Sequence, residues 1–150
     1  MNRELIQSSI DIDAPPADVW AVVSDLRRMG EWSQQCARMF VLGRDVKAGT
    51  RTFNVNKQGK MVWPTAAKVV EFEADRKIAF RVVNRSIWSY ELEPTATGTK
   101  LTEQRRTPDG VLPFSNLLTR RAYGSIEKFE SLLERGIDKT LARIKTEVEA

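Results

Sequence analysis

The sequence predicts an α+β fold in which a curved, seven-stranded antiparallel sheet wraps a long C-terminal helix, with two short helices after the first strand. Three observations predict it. Between residues 37 and 106, apolar and polar residues alternate in short runs separated by the turn-rich segments GRDVKAG, NKQGK, EADRK, VNRS and PTATGT. After that, Ile126, Phe129, Leu133, Ile137, Leu141, Ile144 and Val148 recur at steps of three and four, one apolar stripe along one helix. The dimensions also agree. At 1.5 Å per residue the stripe spans roughly 33 Å, and strands about 4.8 Å apart make a sheet roughly 29 Å wide.

Each element follows from local pattern. Residues 4–13 alternate around Leu5, Ile10 and Ile12 and read as the first strand. Asp13 then suits a helix cap, and Pro15 and Pro16 suit a first turn, where a missing N–H costs nothing. Val19, Val22, Val23 and Leu26 recur at helical spacing until Gly30 interrupts, leaving a second short helical turn around Trp32. The remaining strands fall at 37–43, 49–57, 61–73, 77–83, 87–93 and 100–106. Connections this short favour an antiparallel meander over crossovers. Residues 107–124 read as a loop running into the first turn of the last helix, with an apolar cluster (Val111, Leu112, Phe114, Leu117, Leu118) suited to a lid.

A chain of 150 residues suits one domain, 1–150, burying roughly 70% of its unfolded surface. No apolar run approaches the ~18 residues of a membrane span, so no integral membrane segment is expected. The opening MNRELIQSSIDI lacks the apolar core of a signal peptide, and a cytoplasmic location is the expectation. One cysteine excludes an intrachain disulfide and a multi-cysteine metal site; Cys36 itself reads as a small buried strand residue, not a nucleophile. The absence of histidine removes Ser-His-Asp and Cys-His catalysis and imidazole-bound zinc. No metal or cofactor is expected, and any catalysis must come from carboxylates, Lys, Tyr, Arg or water. Although the net charge is +4, the 24 Lys and Arg are interleaved with 20 Asp and Glu. The basic pairs (Arg27-Arg28, Arg105-Arg106, Arg120-Arg121) stand apart, without the continuous stripe of a nucleic-acid site.

Four stretches in order, APPADVWAVVSDLRRMGEWS, GKMVWPTAAKVVEFE, WSYELEPTATGTKLTEQR and ERGIDKTLARIK, resemble the START-like (SRPBCC) superfamily typified by the birch pollen allergen. Within it the chain is similar to the bacterial polyketide cyclase/dehydrase family. The resemblance covers nearly the whole chain and implies a helix-grip fold, with a cavity between sheet and long helix lined by inward strand residues. Two departures stand out. Relatives often carry Pro-Glu after Trp-Ser, where this chain has Gln34-Gln35, and a His on the early last helix, where it has Phe129. A cyclase using those groups for proton transfer would lack them here, which favours a reading without catalysis.

Candidate ligand-binding residues follow from facing. Trp88, Tyr90 and Leu92 form one inward row, and the two aromatics carry polar handles of the kind that line ligand sites. Ile78, Phe80 and Val82 beside them read as core. Periodicity alone would turn Phe53 and Val55 inward and leave Thr52, Asn54 and Asn56 in water; the resemblance implies instead that Asn56 faces the cavity, with Trp63 and Thr65 on the wall beside Ala67 and Val69. On the last strand Leu101 draws Glu103 inward by the period of two, with Arg105 next along, in the cavity or at its rim. A buried carboxylate needs a partner, for which Arg105, Tyr90 and Asn56 are available. Phe129 and Trp32 complete the set.

The leading functional expectation is a carrier or sensor that binds a hydrophobic small molecule, a lipid or polyketide-like aromatic. The alternative is a polyketide cyclase or aromatase working without histidine, with Glu103 as candidate catalytic group and Tyr90 and Arg105 beside it. A second alternative is a membrane-surface or protein-partner module, driven by the basic surplus and the apolar segment 107–124, with transient membrane contact. Exposed strand edges leave monomer and homodimer open.

Overall fold

The computed structural model describes residues 2–150. Its strands are β1 (Leu5–Ile12), β2 (Cys36–Leu42), β3 (Arg51–Gln58), β4 (Met61–Glu73), β5 (Lys77–Val82), β6 (Ile87–Pro94) and β7 (Thr99–Arg106). Its helices are α1 (Pro16–Val23), α2 (Pro113–Tyr123) and α3 (Ile126–Glu149), with a 3-10 turn at Leu26–Glu31. All seven strands form one antiparallel sheet in the order β1-β7-β6-β5-β4-β3-β2. From β2 to β7 every pairing is between sequence neighbours, as the short turns require. Only the β1–β2 connection crosses the sheet, and it carries α1 and the 3-10 turn.

The sheet curves for identifiable reasons. Irregular register between Cys36 and Arg38, and between Val69 and Glu71, bends the strands locally. Strand β4 is shared unequally: Met61–Lys68 pairs with β3, whereas Ala67–Glu73 pairs with β5. The Met61 end therefore departs from β5, and the sheet opens around Trp63 and Thr65.

Helix α3 lies in the concave side. Leu133, Ile137, Leu141 and Ile144 are buried against Ile6, Ile12, Val69, Ile78, Leu92 and Leu101 of the sheet and Val19 and Val23 of α1. Each such side chain contributes roughly 1.5–3 kcal/mol when fully buried. Gly136 sits mid-helix, where it forgoes roughly 1 kcal/mol of propensity. A Cβ there would meet Gln34 Cγ at 3.3 Å. The close approach lets Gln34 N donate to Thr140 Oγ1 at 2.9 Å, pinning the start of β2 to the helix.

Three expectations are corrected. Asp13 does not cap α1; the N-cap is Pro15, with no side-chain bond, and Asp13 N instead donates to Glu149 Oε2 at 2.8 Å. The second helical turn precedes Trp32 instead of surrounding it. Gly30 sits where any Cβ would fall 2.1 Å from the Ala37 carbonyl oxygen, so the turn ends as β2 closes over it. Residues 107–124 contain a separate helix, α2, broken from α3 by Gly124 in the left-handed region at φ 89°. Helix α3 then restarts on Ser125, whose Oγ accepts from Lys128 N at 3.1 Å. Ser125→Ala is expected to cost about 1 kcal/mol in a denaturant titration, and Asp13→Ala less than about 0.5 kcal/mol; a reversed order would contradict this assignment of caps.

Candidate functional site

Between the open end of the sheet and α3 lies a cavity of about 150 Å³. Its walls are built from alternation. Strand β3 turns Thr52, Asn54 and Asn56 inward and leaves Phe53 exposed, against simple hydrophobic periodicity. The reason is cross-strand pairing. Asn56 Nδ2 donates to Thr65 Oγ1 at 2.8 Å and Asn54 Nδ2 to the same oxygen at 3.3 Å, so the amide donors of the row are satisfied within the wall, while Asn54 Oδ1 and Thr52 Oγ1 are not. Across from it, Trp88 and Tyr90 of β6 and Glu103 and Arg105 of β7 present their side chains to the cavity. The Met29 side chain and the α3 residues Phe129, Leu133 and Ile137 close it.

Of the candidates, Asn56, Trp63, Thr65, Trp88, Tyr90, Glu103, Arg105 and Phe129 all line this space. Trp32 does not. It packs in the core at 2% exposure, with the Arg28 guanidinium 5.1 Å from its ring centre, because the turn ahead of it ends early. Phe80 and Val82, expected as core, also line the cavity, whereas Ile78 is fully buried core.

Glu103 and Arg105 share the inner face but do not pair. Arg105 ion-pairs with Glu130 on α3, and both are buried, so Arg105 does not reach the rim. The Glu130 carboxylate also accepts from Arg3 N at 3.1 Å and from Asn2 Nδ2 at 3.3 Å. Sequence reading passed over Glu130, although it stands on the apolar stripe four residues after Ile126, where a charge needs a buried partner. Glu103 is left without a cation. Burial pushes its pKa up to about 8, and the Tyr90 hydroxyl, on the residue directly opposite on β6, pulls the other way by less. At neutral pH Glu103 is therefore mostly a protonated acid, able to donate. The Tyr90 hydroxyl, 3.9 Å from Met29 Sδ, is itself held well above the ordinary tyrosine range, mainly by burial and then by the Glu103 charge. Burial also pushes the Cys36 thiol on the wall to about 11, an unreactive state.

The buried atoms Glu103 Oε1, Asn54 Oδ1 and Arg105 Nε line the cavity and make no hydrogen bond within the described residues. Native interiors rarely leave such atoms unpaired. The cavity wall thus offers a neutral acid and a guanidinium N–H from β7 and an amide oxygen from β3. The lining around them is mixed: aromatic and aliphatic side chains such as Trp63, Phe80, Trp88, Phe129 and Leu133 stand beside Asn56, Thr65 and Thr140. Tyr123 of α2 packs at a tilt on Phe129, with ring centres 4.9 Å apart, and Phe129 meets Trp63 edge-on at 6.3 Å.

A family model described as polyketide cyclase / dehydrase and lipid transport matches residues 3–149. The chain belongs to that family. Among solved structures, it is similar to the polyketide-cyclase-like protein Cgl2372 from Corynebacterium glutamicum, at 28% identity and a TM-score of 0.62 over 99% of this chain and 94% of that one. It is also similar to TTHA0849 from Thermus thermophilus, at 16% identity and a TM-score of 0.69 over 96% of each chain. A third likeness is to the di-domain ARO/CYC StfQ of the steffimycin biosynthetic pathway, at 13% identity and a TM-score of 0.77. That match covers 97% of this chain and 50% of the other. Comparison with curated proteins finds no match. Membership in the polyketide cyclase / dehydrase and lipid transport family accounts for the helix-grip architecture. Within it, this chain carries Phe129 stacked between Tyr123 and Trp63, and Gln35 on the cavity wall.

Two measurements check the electrostatics. Arg105→Met leaves Glu130 buried with its charge unopposed and is expected to cost about 3–5 kcal/mol, part of it recovered in the Arg105→Met/Glu130→Met double variant. For Glu103, the folded pKa near 8 exceeds the ordinary 4.5. The folded state thus keeps a proton that the unfolded state loses. Its stabilising contribution is complete below about 4.5, falls by up to about 1.4 kcal/mol per pH unit, and is gone above about 8. Glu103→Gln is accordingly expected to match the wild-type Tm at about pH 3.5 and exceed it at about pH 8.5; an equal difference in Tm at both would refute the buried, neutral acid.

Proposed function

We propose that the chain binds a hydrophobic small molecule bearing a hydroxyl or carbonyl group, and acts as its carrier or sensor. The observation that carries this reading is a set of buried polar atoms without protein partners, Glu103 Oε1, Asn54 Oδ1 and Arg105 Nε, on residues that line a cavity with large aromatic walls. Protonated Glu103 donates to a ligand oxygen, Arg105 Nε donates beside it, and Asn54 Oδ1 accepts from a ligand hydroxyl. Trp63, Trp88, Phe80 and Phe129 supply flat apolar walls. A volume of about 150 Å³ suits one aromatic ring or a short branched chain. Typical small-molecule sites reach roughly 300–1,000 Å³. A multi-ring polyketide or long acyl chain therefore requires the Tyr123–Phe129–Trp63 contact to part, so a compact aromatic is the ligand class favoured. Membership in a family described by lipid transport is in keeping with this reading.

A second reading is supported by the Glu103–Tyr90 pair: a cyclase in which neutral Glu103 protonates a ligand carbonyl while the walls fold the chain. Native mass spectrometry of the purified protein, followed by denaturing extraction, tests for a stoichiometric apolar adduct. Thermal shifts against panels of aromatic, sterol and acyl compounds extend it. An empty protein with no shift across the panels would overturn the binding reading. Glu103→Gln separates the two functions: a carrier loses affinity modestly, whereas an acid/base enzyme loses turnover by about 10²–10⁴-fold.

A further inference from the structure

Helix α2 is inside out. Its polar residues Ser115, Asn116 and Thr119 are half-buried against the protein, Asn116 Nδ2 donating to Asn2 Oδ1 at 2.8 Å. Its apolar residues Phe114, Leu117 and Leu118, one face at steps of three and four, are 69%, 40% and 51% exposed. The helix buries none of its residues. A surface helix ordinarily does the reverse. Two neighbouring segments extend the apolar surface. The β3–β4 hairpin exposes Met61 and Val62 and is joined to α2 by Tyr123 Oη donating to the Gln58 carbonyl at 3.4 Å. The β5–β6 turn exposes Val83 and is joined to the start of α2 by Leu112 N donating to the Asn84 carbonyl at 3.1 Å. Gln58, Asn84 and Phe129, which belong to or touch these segments, line the cavity.

The charge on this surface is of one sign. Lys57, Lys60, Arg85, Arg120 and Arg121 are exposed, and residues 57–63, 83–86 and 113–126 contain no Asp or Glu. The adjoining acids are Asp109, 3.5 Å from Arg81, and Glu127, which feels the Arg120 charge at the start of α3.

We propose that this end of the molecule docks on an anionic lipid surface. Phe114, Leu117, Leu118, Met61 and Val62 enter the headgroup boundary, while the surrounding lysines and arginines meet lipid phosphates. Docked this way, the Tyr123–Phe129–Trp63 end of the cavity faces the bilayer. A second copy fits poorly, since a two-fold contact through this surface would bring together two patches of the same positive sign. The preference for lipid over an acidic protein rests on the reading of the cavity as an apolar-ligand site. The two fail separately, because vesicle binding is measured without any cavity ligand.

The test is co-sedimentation with vesicles of phosphatidylcholine plus phosphatidylglycerol, against phosphatidylcholine alone. The wild-type chain is expected in the pellet only with the anionic vesicles, and to be released as salt rises from about 0.05 M to about 0.5 M. Leu117→Ser/Leu118→Ser is expected to abolish pelleting without lowering Tm, and Arg120→Gln and Arg121→Gln to weaken it about fivefold each. Failure of the wild type to bind anionic vesicles, equal binding to neutral ones, or variants that bind like wild type would overturn the proposal. So would sedimentation velocity showing a dimer that the same serine pair dissociates, which would give the face to a second copy. The lipid and salt comparisons use unaltered protein and stand even where a variant folds poorly.

Discussion

The buried ion pair between Arg105 and Glu130 is the constraint around which this molecule is arranged. It ties the last strand to the long helix, and through Glu130 the helix also holds the backbone of Arg3 and the side chain of Asn2. Apolar packing alone would let α3 slide along its stripe, because one isobutyl group fits nearly as well as the next. A carboxylate that must meet one guanidinium in a dry interior permits one register. Buried pairs of this kind add little net stability, but breaking one is expensive. Here the pair fixes where the helix lies over the sheet, and hence where the cavity is.

The same pair decides the chemistry next to it. With Arg105 committed to Glu130, Glu103 has no cation and only the Tyr90 hydroxyl beside it, so the proton stays on. A cavity that would hold an anion becomes one that holds a neutral hydrogen-bond donor. That environment suits an uncharged, oxygen-bearing apolar molecule better than a charged one. In the polar row Asn54–Thr65–Asn56 the amide donors are satisfied sideways along the wall, leaving Asn54 Oδ1 over for something else. The Tyr123–Phe129–Trp63 contact, for its part, holds the start of α3, α2 and the β3–β4 hairpin close together.

Most of the fold was legible because it rests on short-range signals. Alternation and turn chemistry placed every strand of the meander to within about two residues, the usual blur at element ends. The three-and-four stripe placed α3. Errors fell where a distant contact overrode a local rule. Asp13 has the chemistry of a cap, yet its backbone goes to Glu149. Trp32 looked like a pocket aromatic, but Gly30 ends the turn early and Trp32 joins the core. The segment before α3 reads as loop although it holds an eleven-residue helix, because Pro108, Gly110, Pro113 and Gly124 bracket a stretch too short to repeat its apolar period.

The sequence by itself determined the meander of the later strands and the single long helix, since each depends only on residue type, period and short turns. Its period of two pointed Glu103 inward with Leu101 while leaving Arg105 between cavity and rim. It also excluded imidazole chemistry outright, there being no histidine. What the tertiary structure decided was pairing: that Arg105 belongs to Glu130 and not to Glu103, that the asparagine row turns in, and that α2 turns its leucines out. Those outcomes join residues 25 or more positions apart, or oppose the local hydrophobic pattern. Periodicity says which way a side chain points. Only the assembled fold says what it meets there, and on that meeting the protonation of Glu103 and the character of the cavity depend.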